Sequence, residues 1–239
     1  MSSSDKSRLD GPRRTLTAML GATIFATMPL WPATKAAETA QCHVPERRPE
    51  ISFRKLTGPL VFDTSHSRQQ LRQLKGARGN SSISNGWIPI GWTLTELKLA
   101  MNVRVDATPD GQGRFCSSLF SVKAKLGYDK LTVFVAREYG RGSCQYLSVI
   151  KHEQQHVAIF RDTLDRFMPR FEARLRRAAE RHTPVRTRTP KQGAARLKRS
   201  LDRQLQPLFR EINKTLDRAN SRLDTKANYE REQTNCPTW

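Results

Sequence analysis

Residues 148–162 read SVIKHEQQHVAIFRD, with His152 and His156 four apart and Glu153 directly after the first histidine. On an α-helix, positions i and i+4 project from one face, so the two imidazoles can grip one metal ion. Glu153 stands beside them, where a carboxylate can take a proton from a bound water. Zn2+ is the expected ion: it acidifies a bound water and polarises a carbonyl, while Glu153 as catalytic base passes the proton to the leaving amine. Such a three-residue pattern arises by chance in a chain of this size on the order of once in a hundred. The competing reading puts both histidines, with Phe160, on an ordinary core-facing stripe. Two buried imidazoles would then each need a hydrogen-bond partner, a need that one metal meets for both.

A third protein ligand is required, and proximity suggests Asp162, six residues after His156. The metzincin pattern places a ligand there, but only with a glycine that turns the chain out of the helix, and this sequence has Ile159 at that point. On an unbroken helix six residues rotate about 600°, which aims Asp162 away from His156. Glu172 lies about 24 Å from His156 along a straight helix and could serve only if the chain folds back at Pro169. If a second helix returns antiparallel from a connection near residues 188–189, the centre of the motif faces a position near residue 223. Asp224 is then the nearest carboxylate and the expected ligand, with Asp217 and Glu230 about two turns to either side. Tyr229 is a candidate stabiliser of a tetrahedral intermediate, or simply a packed tyrosine.

The elements that must position these groups can be read from periodicity. Over residues 50–140 the pattern is strand-rich. ISFRKL and LVFDTS suggest a strand pair about Gly58-Pro59, SRQQLRQLKG a short helix ending at Gly76, and NSSISNG a loop. WIPIGW leads into ELKLAMNVRVD, where Leu97, Leu99, Met101, Val103 and Val105 alternate as in a strand with one buried face. TPDGQG is a turn, a further strand spans residues 115–126, and after residues 127–130 LTVFVAREY forms another. Short connections predict an antiparallel sheet. From residue 145 the period changes: Leu147, Ile150, Val157, Phe160, Leu164, Phe167, Phe171 and Leu175 recur at threes and fours, with Pro169 as a kink. After RHTPVRTRTPKQG, read as a turn, Leu197, Leu201, Leu205, Leu208, Ile212, Leu216, Ala219 and Leu223 form a second amphipathic stripe. The expected architecture is α+β: a small antiparallel sheet followed by a long antiparallel helical hairpin, over 145–224, that carries HExxH.

The N-terminus predicts where this domain works. Lys6, Arg8, Arg13 and Arg14 precede the apolar run TLTAMLGATIFATMPLW and the small-residue stretch PATKAAETA, as in a secretory signal peptide over 1–40. The run is short for a membrane span and is interrupted by Pro29 and Pro32, so no transmembrane segment is expected once the signal is removed. Residues 41–239 then form a single domain. Cys42, Cys116, Cys144 and Cys236 all follow the signal, and without CxxC spacing they suggest disulfides rather than a zinc knuckle. The expected pairs are Cys116 with Cys144 and Cys42 with Cys236. The net charge is +20; residues 1–36 hold five basic and two acidic side chains, leaving +17. That excess suits an anionic cell-envelope polymer held by the arginine-rich helices, although a solvated helix face has the same composition. A specific nucleic-acid partner is not expected in an exported chain.

The chain resembles a bacterial family of secreted zinc-dependent proteases that are themselves mostly described from sequence. The resemblance covers roughly residues 51–236. It rests on the exported N-terminus, the strand block from Trp87 to Cys116, YGRGSCQYLSVIKHEQQHVAIF and the closing LDTKANYEREQTNC. It implies a zincin-like domain with zinc at His152 and His156, Glu153 as general base, and a peptide or protein substrate in the periplasm or outside the cell. The rival expectation is a basic, non-enzymatic envelope protein whose metal site is structural or degenerate.

Overall fold

The computed structural model describes residues 42, 44, 45, 47–77 and 89–239. The expected signal at 1–40, the loop at 80–86 and Trp87 lie outside the described residues. The elements run β1 (Glu50–Thr57), β2 (Leu60–Asp63), α1 (Arg68–Ala77), β3 (Gly91–Pro109), β4 (Phe115–Val135), α2 (Cys144–Glu180), β5 (Val185–Thr187), α3 (Pro190–Leu223) and α4 (Lys226–Gln233).

The sheet is organised about β4. β3 pairs antiparallel along almost the whole of it, from Gly91↔Val135 to Pro109↔Phe115. The turn between them is built by Asp110, whose Oδ1 accepts from the backbone N–H groups of Gln112 and Arg114 at 2.8 and 3.0 Å. Since β3 occupies one edge of β4, the other edge must carry β5, β1 and β2 in succession. Alternation along the strands separates two faces. Val122, Ala124 and Leu126 of β4 and the partly buried Leu97, Leu99, Met101 and Val103 of β3 turn inward, whereas Lys123, Lys125, Lys98 and Asn102 stay exposed. The inward face packs against Leu164, Phe171 and Leu175 of α2 and Leu201, Leu205 and Ile212 of α3, each at most 1% exposed. Burial of side chains of this size contributes about 1.5–3 kcal/mol apiece, enough to fix both long helices on the sheet.

The expected antiparallel sheet and simple helical hairpin are corrected by these pairings. β1 and β2 run parallel to β4 and do not pair with each other. Gly58-Pro59 interrupts the ladder without reversing the chain: Gly58 N–H donates to Tyr128 O at 2.7 Å, and Leu131 N–H donates to Pro59 O at 3.0 Å. The connection from β2 to β4 passes through α1 and β3, which is long enough for a parallel pair. The two strands expected within 115–139 are one, because Gly127 stays in the ladder. It lies close against β1, where a Cβ would stand 2.0 Å from Leu56 O. α2 and α3 are not a hairpin closed by a plain turn: β5 returns the chain to the sheet between them, and α4 follows α3.

The disulfides also differ from the expected pairs. Cys42 bonds to Cys116 and Cys144 to Cys236, with Cα separations of 5.3 and 5.8 Å. The first pair follows from the parallel register. β1 enters at Glu50↔Ser121, so the residues before β1 pass beside the start of β4, where Cys116 stands. The second follows from α4, which brings Cys236 over the first residue of α2. Two disulfides fit an oxidising, extracellular-type environment. Among the described residues no helix is long and apolar enough to cross a membrane.

Candidate metal centre

The motif lies in the first half of α2. Ser143 caps the helix, its hydroxyl accepting from Tyr146 N–H at 3.1 Å. His152 and His156 share the inward face with Val149 and Val157, and with Glu153 between them they are 5%, 7% and 4% exposed. α3 runs back along α2, as the contacts His156–Asn220, Arg170–Glu211 and Arg174–Gln204 show. Asp224 caps the C-terminus of α3, and Thr225 then opens α4. That break in the helix aims the Asp224 carboxylate at the histidines.

Three atoms converge. Asp224 Oδ1 lies 3.2 Å from His152 Nε2 and 3.0 Å from His156 Nε2, and the two Nε2 atoms are 3.2 Å apart. A tetrahedral zinc shell with bonds of about 2.0–2.1 Å separates its ligand atoms by roughly 3.3 Å, so the triangle has the right size. The outer ring nitrogens fix the tautomers. His152 Nδ1 donates to the Glu232 carboxylate at 3.0 Å, and His156 Nδ1 donates to Asn220 Oδ1 at 2.7 Å. With both rings neutral, the two Nε2 lone pairs and the Asp224 oxygen form a set of three acceptors that one metal cation could bridge. The donor set of two imidazole nitrogens and one carboxylate oxygen could hold a metal ion.

The local electrostatics agree. Burial pushes the His152 imidazole down, but its bonds to Asp224 and Glu232 outweigh burial and raise it to about 9. Burial likewise opposes the charged form of His156, and Asp224 and Glu153 reverse the effect. Burial pushes the Asp224 carboxyl up, yet His152, His156 and Tyr229 together hold it well below the usual carboxylate range. The cluster favours positive charge in its centre. The side chain of Asp224 is 35% exposed, so the centre is open to solvent on that side.

Glu153, buried beside the two histidines, also reaches β3. Thr93 Oγ1 donates to its Oε2 at 2.7 Å, and burial raises its pKa above the ordinary value. A Cβ on Gly91 would stand 2.4 Å from Val149 Cγ1 and 2.7 Å from Glu153 Oε1, so glycine lets β3 close on the helix. Tyr229 donates to Asp224 Oδ1 at 2.6 Å, and its ring centroid is 5.1 Å from that of His152.

Of the alternative ligands, Asp162 and Asp217 are exposed, Glu172 pairs with Arg176, and Glu230 pairs with Lys226. Sequence reasoning missed Glu232, Asn220, Thr93 and Gly91. Asn220 was within reach, because it stands one turn before Asp224 on the same helix. The others depend on where α4 and β3 dock, which no local pattern encodes. No family model matches the chain, and comparison with curated proteins and with solved structures gives no match.

Proposed function

We propose that this chain is an exported, zinc-dependent metallopeptidase that hydrolyses peptide bonds in the periplasm or cell envelope. The observation that carries the reading is the convergence of His152 Nε2, His156 Nε2 and Asp224 Oδ1 beside the buried carboxylate of Glu153. A bound zinc ion supplies Lewis-acid polarisation of a carbonyl and an acidified water. His152, His156 and Asp224 would hold it, with Glu232 and Asn220 fixing the two rings. Glu153 accepts the proton from the attacking water and returns it to the leaving nitrogen, with Thr93 holding its second oxygen away from that task. Tyr229 is engaged with Asp224 and orients that ligand. Among the described residues no strand pairs with the outer edge of β3. β3 begins at Gly91 and Thr93, against Glu153, so an extended peptide added to that edge runs past the base.

Two measurements on the purified mature protein test the reading. Metal analysis should return one zinc per chain, and Glu153→Gln should keep that zinc while losing hydrolysis of unfolded protein substrates. Absence of stoichiometric metal from the folded wild type, or undiminished hydrolysis by Glu153→Gln, overturns it.

A further inference from the structure

We propose that the outer face of α3 binds a linear phosphate polymer. Arg199, Arg203, Arg210, Lys214, Arg218 and Arg222 follow one another at intervals of four, with one of seven across Pro207. Four residues advance a helix by about 6 Å and turn it about 40° past a full turn, so the six cations form one winding row about 35 Å long whose ends differ by about 140° in direction. All six are exposed, and none forms an ion pair among the described residues. The neighbouring acids are already engaged: Glu211 holds Arg170 in a two-bond pair and Asp202 holds Lys198, leaving Asp217 as the one carboxylate of α3 outside such pairs.

A row of charges suits a polymer whose own charges lie in a row, better than a compact anion. The rest of the helix narrows the class. Leu197, Leu201, Leu205, Ile212 and Leu216 are buried against the sheet, so α3 has no apolar side to insert into a bilayer. Its one aromatic residue, Phe209, packs against the core, so no ring is offered for stacking a nucleobase. What remains is recognition of phosphate charge alone, as in a polyol phosphate or polyphosphate chain. The row ends at Arg222, two residues before Asp224, so a bound polymer is delivered to the end of α3 that carries the metal centre. Binding itself is independent of hydrolysis.

The test uses labelled linear polyphosphate, long enough to span the row, titrated by fluorescence anisotropy at several salt concentrations. Arg210→Gln/Lys214→Gln/Arg218→Gln should lower affinity tenfold or more at low salt and reduce the log–log salt slope by about 2, at roughly 0.7 per lost contact. Glutamine keeps the helix propensity, and circular dichroism checks the fold. Arg199→Gln/Arg203→Gln, at the other end of the row, should weaken binding in the same sense. The charge-matched control is Arg54→Gln/Lys123→Gln/Lys125→Gln on the solvent face of the sheet, where Arg54 and Lys125 are register neighbours. It should change affinity by less than about twofold. Equal weakening by the sheet triple, no binding by the wild type at low salt, or preference for a single-stranded oligonucleotide or anionic vesicles at equal phosphate each overturns the proposal. Glu153→Gln protein treated with chelator should bind as the wild type does, which separates this result from the hydrolase reading.

Discussion

Asp224 Oδ1 lies 3.0 Å from His156 Nε2, although 68 residues of chain separate them. The contact exists only after α2, β5 and α3 have been laid down in order and α3 has stopped at its cap. Both histidines can be on one helix face in a nascent chain, but the third donor comes from the completed fold. On the proposed reading, metal affinity would report on tertiary structure at the far end of α3.

That relationship sets the first prediction. Asp224→Ala should weaken zinc binding by well over the 10–100-fold typical of an outer-sphere partner, measured by competition with a chromophoric chelator. Alanine changes at Asp162, Glu172, Asp217 and Glu230 should each leave affinity within a few-fold of the wild type. Loss of zinc by any of those four with Asp224→Ala unaffected would refute the assignment of the ligand.

Glu232 should behave as a graded partner. Glu232→Ala removes both the charge and the acceptor for His152 Nδ1 and should lower zinc affinity about 10–100-fold. Glu232→Gln retains an acceptor and should fall between alanine and the wild type. Thermal unfolding of the metal-free Glu232→Ala protein should show a modest loss of about 1–3 kcal/mol, because the buried His152 Nδ1–H loses its acceptor. Identical affinities across the series would show that the bond seen to His152 has no part in holding metal.

The unequal legibility of the site follows from what each residue depends on. His152, Glu153 and His156 are set by helical geometry, which spacing alone fixes. Asp224 could be reached because α2 and α3 are nearly matched in length and run antiparallel, so counting outward from the connection found its position. The sheet was misread because Gly58-Pro59 resembles a hairpin turn, while the residues that decide its direction, Tyr128 and Leu131, lie some 70 positions away on β4. The disulfide pairs failed for the same cause: Cys42 meets Cys116 only if β1 and β4 are parallel. Glu232 required α4, whose eight residues carry almost no amphipathic pattern and have no buried member.

Gly91→Ala tests whether β3 holds the base in place. The added methyl group would have to displace Val149 Cγ1 and Glu153 Oε1, at 2.4 and 2.7 Å, in a region already closed by the Thr93 bond. Overpacking of this kind costs about 1–3 kcal/mol, so the melting temperature should fall. Peptide hydrolysis should fall at least tenfold while zinc content stays stoichiometric, because the atoms nearest the added methyl group belong to Val149 and Glu153, not to the histidines or Asp224. Zinc loss in parallel with activity would mean that β3 supports the whole centre and not the base alone.

The last prediction separates the two disulfides. Their sequence separations are 92 residues for Cys144–Cys236 and 74 for Cys42–Cys116, so loop-closure entropy assigns both nearly the same value, between about 4 and 5 kcal/mol. Removing either pair as a double serine variant should therefore destabilise the protein to a similar extent in denaturant titrations. Their positions differ, however. Cys144–Cys236 ties the first residue of α2 to the end of the segment that carries Asp224, Tyr229 and Glu232, and Gln145 reinforces the tie by donating to Thr238 O at 2.6 Å. Cys42–Cys116 lies at the start of β4, remote from all three. Under conditions where both variants remain folded, Cys144→Ser/Cys236→Ser should lose zinc affinity, whereas Cys42→Ser/Cys116→Ser should bind zinc as the wild type does. Equal zinc affinities in the two variants would show that α4 holds its place over the motif without the bond, and that the C-terminal disulfide contributes stability alone.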